Sequence, residues 1–256
     1  MRAFAADSHR KSRRDMSSIK GIIFDYGGTI DTDGIHWGEL IWSEYQAAGV
    51  DIDRQTYRDA YVHGERSLAK NPIIEPTDTF HTLLCKKMKL HFEYLRDTMP
   101  GKDFGKEKEE EEEVVQRCYG RVLATLERTR AIVKELAMRY PIVLVTNFYG
   151  NMPVVLKEFE LDGIFKEIVE SSVVGLRKPD PALFALGVKS LGFNPDEIVV
   201  IGDSYSKDIY PASSLGCRTI WIKKICWAEE AVTPGYGPTE TVDALEKVPQ
   251  IIGKLQ

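Results

Sequence analysis

The chain has 256 residues, 43% hydrophobic and 29% charged, with a formal net charge of −5. That composition is globular, and its acidic balance offers no field for nucleic acid. No apolar run approaches the ~20 residues that a membrane helix needs, and Cys85, Cys118, Cys217 and Cys226 form no CxxC pair, which fits free thiols in a reducing cytoplasm.

Residues 1–16 are basic but lack the apolar stretch of a secretory signal. They read as a disordered tail, or as an upstream start with Met16 as the working initiator. Residues 19–24 read as a short buried strand that closes on Asp25 and the small-residue turn Tyr26-Gly27-Gly28-Thr29. From 34 to 120 the rhythm is helical, with patterns over 37–49, 54–70 and 77–95 and no convincing strand between them. Residues 99–113 read as a loop that runs into a helix start rich in glutamate, a solvated face.

Strands then resume at 141–147, 198–203 and 218–223, with a weaker candidate at 165–171. Helical patterns over 126–140, 152–160, 181–192 and 206–216 alternate with them. Pro153 and Pro181 suit first-turn positions, and Gly192 and Gly216 suit helix ends. A last strand and helix fit within 239–255. Strand alternating with helix predicts an α/β fold, a parallel sheet covered by helices on both faces. The economical organisation is an all-helical insert after the first strand.

Ligands of open parallel sheets bind beyond the carboxyl ends of the strands. Asp25 and Thr29 follow the first predicted strand, Thr146 and Asn147 the second, Asp203 and Asp208 a later one, and Lys178 lies just before a helix. Each alone has a structural explanation as a turn former, a helix cap or a surface lysine. Together they suit phosphoryl transfer. Converging carboxylates repel unless a divalent cation joins them, and an all-oxygen set suits Mg²⁺. A lysine offers a compact positive charge to a phosphate oxygen, and hydroxyl and amide groups can donate to the others. An aspartate can serve as the nucleophile.

These four segments, in this order, resemble the motifs of the haloacid dehalogenase superfamily, most members of which are phosphatases. The resemblance covers about residues 17–222. It implies a Rossmann-like catalytic core from 17–33 and 121–256, with 34–120 as a helical cap. It also implies a Mg²⁺-dependent hydrolase of small phosphorylated metabolites. By resemblance Asp25 is the nucleophile. Asp25, Asp203 and the backbone carbonyl of Gly27 hold the metal, with Asp208 behind them or acting through water. Lys178 neutralises Asp25 and a phosphoryl oxygen, Thr146 hydrogen-bonds the phosphoryl group, and Asn147 orders the site. Thr29, with Arg66 and Lys70 from the insert, is a candidate for substrate binding. His36, Trp37, Tyr61 and His63 are further candidates from that region.

One position departs from the family pattern. Phosphatases of this superfamily usually carry an acid two residues after the nucleophile, and here that residue is Gly27. The backbone metal contact is kept and the proton donor is lost. Asp31, Asp33, His36 and His63 are the titratable residues nearby in sequence, each also readable as a surface residue. The alternatives are a slow or non-catalytic phosphate-binding regulator, or a phosphonate hydrolase that uses Lys70 as a cap lysine.

Overall fold

The computed structural model describes residues 18–99 and 107–256; the N-terminal tail and most of the loop after residue 99 lie outside them. Six parallel strands form one sheet in the order β3-β2-β1-β4-β5-β6. They are β1 (Gly21–Phe24), β2 (Ile142–Thr146), β3 (Glu167–Glu170), β4 (Ile198–Gly202), β5 (Arg218–Ile222) and β6 (Glu240–Val242). All six expected strands are present, the weak one at 165–171 included. The order reverses at β1, whose two neighbours are β2 and β4. That is the topological switch point of a doubly wound sheet, where the crevice for ligands opens.

The central strands are apolar on both faces. Side chains alternate along a strand, so Ile22, Phe24, Leu144, Val199 and Ile201 join one buried cluster while Ile23, Val143, Val145 and Val200 join another. Helices α7 (Pro181–Leu191) and α8 (Tyr210–Ser214) cover the second face with Leu183, Phe184 and Ala212. Helix α5 (Met152–Glu158), helix α9 (Val248–Lys254) and the C-terminal part of α4 (Glu107–Ala137) cover the first. The short helix α6 (Ser171–Val174) follows β3.

Among the described residues, four helices separate β1 from β2: α1 (Trp37–Ala47), α2 (Arg54–Lys70), α3 (Phe80–Thr98) and α4. Their starts follow ordinary capping chemistry. His36, Asp53 and Thr79 accept from backbone N–H groups of the first turns of α1, α2 and α3. Helix α4 runs unbroken past Gly120, where the sequence reading ends the insert. Arg121 on α4 pairs with Glu44 on α1, whereas Thr129 Oγ1, further along the same helix, donates to the carbonyl of Ile30. One helix therefore ties the other insert helices to the sheet. The single helix expected over 206–216 is instead a π turn, Tyr205–Ile209, followed by α8. Among the described residues, no helix is long and apolar enough to cross a membrane, and all four cysteines are free.

Candidate active site

Strand β1 ends at Phe24, so Asp25 stands where the backbone leaves the sheet, 5% exposed. Strand β4 ends at Gly202, and Asp203 follows it at the same edge of the sheet, one residue beyond the level of Asp25. The π turn then brings Asp208 back toward the strand ends; single π turns recur at functional sites. One carboxylate oxygen from each of Asp25, Asp203 and Asp208 lies within 4.8 Å of the others. Gly28 makes this approach feasible. Its φ is +96°, and a Cβ there would collide with the Asp203 carboxylate.

Lys178 completes the cluster. Its Nζ lies 2.7 Å from Asp25 Oδ1 and 2.7 Å from Asp208 Oδ1, and all three side chains are buried. Asp208 Oδ2 accepts from the backbone N–H of Ser204 at 3.1 Å, so both its oxygens are engaged. Burial pushes the Asp203 carboxyl well up from its ordinary range, and the neighbouring Asp208 and Asp25 push the same way. Burial also raises Asp208, although Lys178 opposes it. Burial alone would lower the Lys178 ammonium, but Asp208 and Asp25 outweigh it and hold it above its usual value. Three carboxylates facing one ammonium leave net negative charge in a buried place, the situation that a divalent cation relieves.

The remaining motif residues hold this cluster in place. Asn147 Nδ2 donates to the Lys178 carbonyl at 3.2 Å, and the Lys178 N–H donates to Asn147 Oδ1 at 2.9 Å. This two-point clamp fixes the lysine segment to the end of β2. Thr146, the last residue of β2, lines the cavity above the carboxylates. Thr29 does not line it: its hydroxyl lies 3.5 Å from Asp25 Oδ2 and 3.3 Å from Asp203 Oδ1, beneath the cluster. Thr29 therefore positions carboxylates rather than meeting a substrate.

The cavity has a volume of about 120 Å³. Its floor is the cluster just described. His36, Trp37 and Tyr61 reach it from α1 and α2, as the sequence reading proposed for the insert. Arg66 and Lys70 do not: both are exposed and line a separate surface cleft with Arg58, Asp59 and His63. The reason is helical periodicity. With 3.6 residues per turn, Tyr61 and Glu65 share one face of α2, and Arg66 is turned about 100° away from it. His63 likewise stacks on Tyr94, with ring centroids 4.8 Å apart.

Several lining residues escaped sequence reasoning: Glu65, Lys87, Tyr149, Arg177, Ser204 and Lys207. One carried a readable signal. Lys87 sits on the apolar stripe of α3 among Leu84, Met88, His91 and Leu95, all buried. Such a position favours an apolar residue, so a buried lysine there is an exception to the helix pattern.

Of the acids near Gly27, Asp31 and Asp33 are buried rather than on the surface. Asp31 Oδ1 accepts from Gly28 N at 2.7 Å and Oδ2 from Trp37 Nε1 at 2.9 Å. Burial nevertheless pushes its carboxyl up to about 7. Asp33 accepts from Lys224 Nζ and from the backbone of Leu245. His36 accepts the Gly38 N–H at Nδ1, 3.0 Å away, and burial lowers its imidazole to about 4.

Comparison with known proteins agrees with this geometry. A family model described as haloacid dehalogenase-like hydrolase matches residues 19–216. The glyceraldehyde 3-phosphate phosphatase of Pyrococcus furiosus is 36% identical over 70 residues, 27% of this chain and 29% of that protein. The phosphoserine phosphatase of Thermus thermophilus is 35% identical over 60 residues, 23% of this chain and 24% of that protein. The matched segment thus spans under a third of either relative. Among solved structures, the HAD-hydrolase YfnB of Bacillus subtilis, bound to magnesium, superposes with a TM-score of 0.54 at 16% identity, covering 92% of this chain and 99% of that one. At that identity the likeness is one of fold.

Proposed function

The chain belongs to the haloacid dehalogenase-like hydrolases, and on that premise we propose that it is a Mg²⁺-dependent phosphoric monoester hydrolase of small metabolites, acting through Asp25. The observation that carries this reading is the convergence of three separate segments on one sheet edge. Asp25, Asp203 and Asp208 come within 4.8 Å, and the Lys178 ammonium lies 2.7 Å from two of them.

The donor set fits a hard divalent cation. It is all oxygen, buried, and short of positive charge by more than one lysine can supply. Asp25, Asp203 and the Gly27 carbonyl would hold the metal, with Asp208 anchored behind them by Lys178 and Ser204. When bound, the metal neutralises charge on the phosphoryl oxygens and on the carboxylates around them.

A carboxylate oxygen of Asp25 attacks phosphorus, the P–O bond to the leaving group breaks, and an aspartyl-phosphate forms. Water then attacks that phosphorus and returns phosphate and the Asp25 carboxylate. Lys178 offsets charge on Asp25 and on the phosphoryl group throughout. Thr146 donates its hydroxyl from the cavity wall, and the Asn147 clamp keeps Lys178 in register. The exposed cations Arg177 and Lys207 at the cavity edge attract the phosphate dianion. The helices between β1 and β2 act as a cap, contributing His36, Trp37, Tyr61, Glu65 and Lys87 to the walls.

The test is turnover of p-nitrophenyl phosphate with Mg²⁺ and with chelator, for the native chain and for Asp25→Asn. Metal-dependent turnover that Asp25→Asn abolishes is expected. Turnover that survives that substitution overturns the mechanism. No turnover, with Mg²⁺-dependent beryllofluoride binding retained, points to a phosphate-binding regulator instead.

A further inference from the structure

The cavity wall contributed by the helical insert contains an ion pair that the chemistry above does not use. Lys87 on α3 is 6% exposed, and its Nζ lies 2.7 Å from Glu65 Oε1 on α2. The other Glu65 oxygen accepts from the Tyr149 hydroxyl at 3.2 Å. The Lys87 ammonium also lies 5.7 Å from the Trp37 ring centroid and 5.8 Å from that of Tyr149. All four side chains line the same cavity as Asp25.

A buried ion pair is a poor device for stability, because apolar residues of like volume often do as well or better. The stripe of α3 around Lys87 is otherwise suited to an apolar residue. What the pair supplies is polarity at a defined place: a donor with three N–H groups beside an acceptor, on aromatic walls. The pair is also neutral as a unit. A second full negative charge placed there would meet Glu65 as well as Lys87. A hydroxyl can accept from Lys87 and donate to Glu65, so it satisfies both. Aromatic faces suit the C–H surface of a short polyol.

We propose that Glu65 and Lys87, with Tyr149, form the leaving-group subsite, and that the group it accepts is a short, uncharged, hydroxylated carbon chain: the substrate is a small polyol or hydroxycarbonyl monophosphate. This rests on the phosphoryl-site reading above and adds the organic half of the substrate. Carboxylated phosphates of equal length are disfavoured by Glu65.

The experiment uses three non-hydrolysable phosphonates of equal chain length with Mg²⁺ present: 3,4-dihydroxybutylphosphonate, 4-phosphonobutanoate and butylphosphonate. Dissociation constants are measured by calorimetry for the native chain and for the Glu65→Leu/Lys87→Met double variant, which leaves no buried charge uncompensated. The dihydroxy compound is expected to bind the native chain about tenfold tighter than either of the others, the worth of one or two hydrogen bonds. In the double variant that advantage disappears while butylphosphonate binding persists. Equal or tighter binding of the carboxylate, or a double variant that weakens all three alike, overturns the subsite. If none of the three binds and p-nitrophenyl phosphate is not turned over either, the phosphoryl-site reading falls and the subsite with it.

Discussion

Replacing Gly27 with aspartate tests whether this site lacks an acid. A Cβ built at Gly27 meets only Trp37, at 3.9 Å from Nε1 and 4.0 Å from Cδ1, which is ordinary contact. Gly27 also lines the cavity with Asp25, so the new carboxyl group enters the same cavity. Its neighbours Asp25 and Asp203 raise its pKa by like-charge repulsion, which favours the protonated form that an acid needs. General acid catalysis is worth about 10²–10⁴-fold, or about 2.7–5.4 kcal/mol of barrier. An alkoxide leaving group needs that proton and a nitrophenolate does not. The assay is kcat/KM for glycerol 3-phosphate and for p-nitrophenyl phosphate, on the native chain and on Gly27→Asp. The alkyl-to-aryl ratio should rise about 100-fold or more in the variant. An unchanged ratio in a folded, metal-binding variant refutes the reasoning. It would mean that the native chain already draws its proton from another group, such as His36 or Tyr61 on the cavity wall.

Lys178→Met removes the cation from two buried carboxylates; breaking a buried pair costs about 3–5 kcal/mol, about 6–20 °C in Tm at this chain length, and a calorimetric shift under about 2 °C would contradict that accounting. Mg²⁺ at 100 times its Kd should add about 2.7 kcal/mol of stability, seen as a rise in Tm that Asp203→Asn removes; an equal rise in the variant would place the metal elsewhere. Asp31 gives a pH dependence without metal. Burial raises its folded-state pKa from 3.8 to about 7, so its stabilising contribution is complete below about pH 4 and is lost as pH rises through 7. Urea unfolding between pH 5 and 8 should therefore show falling stability, and Asp31→Asn should lessen that slope, with the raised Asp203 and Asp208 carboxyls supplying the rest; an identical slope in the variant removes Asp31 as a source.

The carboxylate floor of the cavity was legible because it depends on short-range pattern. Asp25, Thr146 and Asp203 each follow an apolar run at a strand end, and a parallel sheet places all strand ends on one edge. Asn147 and Lys178 could be named as site residues from their segments, but the clamp between them joins positions 31 residues apart and appears only in three dimensions. Thr29 was named from its turn, yet its place beneath the carboxylates rather than beside a substrate depends on how β1 and β4 pair.

The insert was legible as helices and not as a cavity wall. Helix α2 has polar residues around much of its circumference, so its pattern did not say which face turns inward. Arg66 and Lys70 have the charges a phosphate site invites, and they face solvent; Glu65, one position earlier, faces the cavity. The buried state of Asp33 is likewise tied to distant partners, Lys224 and Leu245, whereas Asp31 bonds to Gly28 and Trp37 close by in the chain.

Strand identity, the parallel sheet and the order of the motifs are properties of local apolar periodicity and of residues adjacent to it, and the amino-acid sequence alone determined them. Which side chains cross from the insert to meet Asp25, and whether a given acid is buried, were decided only by tertiary packing. Those outcomes depend on the rotation of each helix against partners far along the chain, and on the electrostatic field of groups that folding brings together.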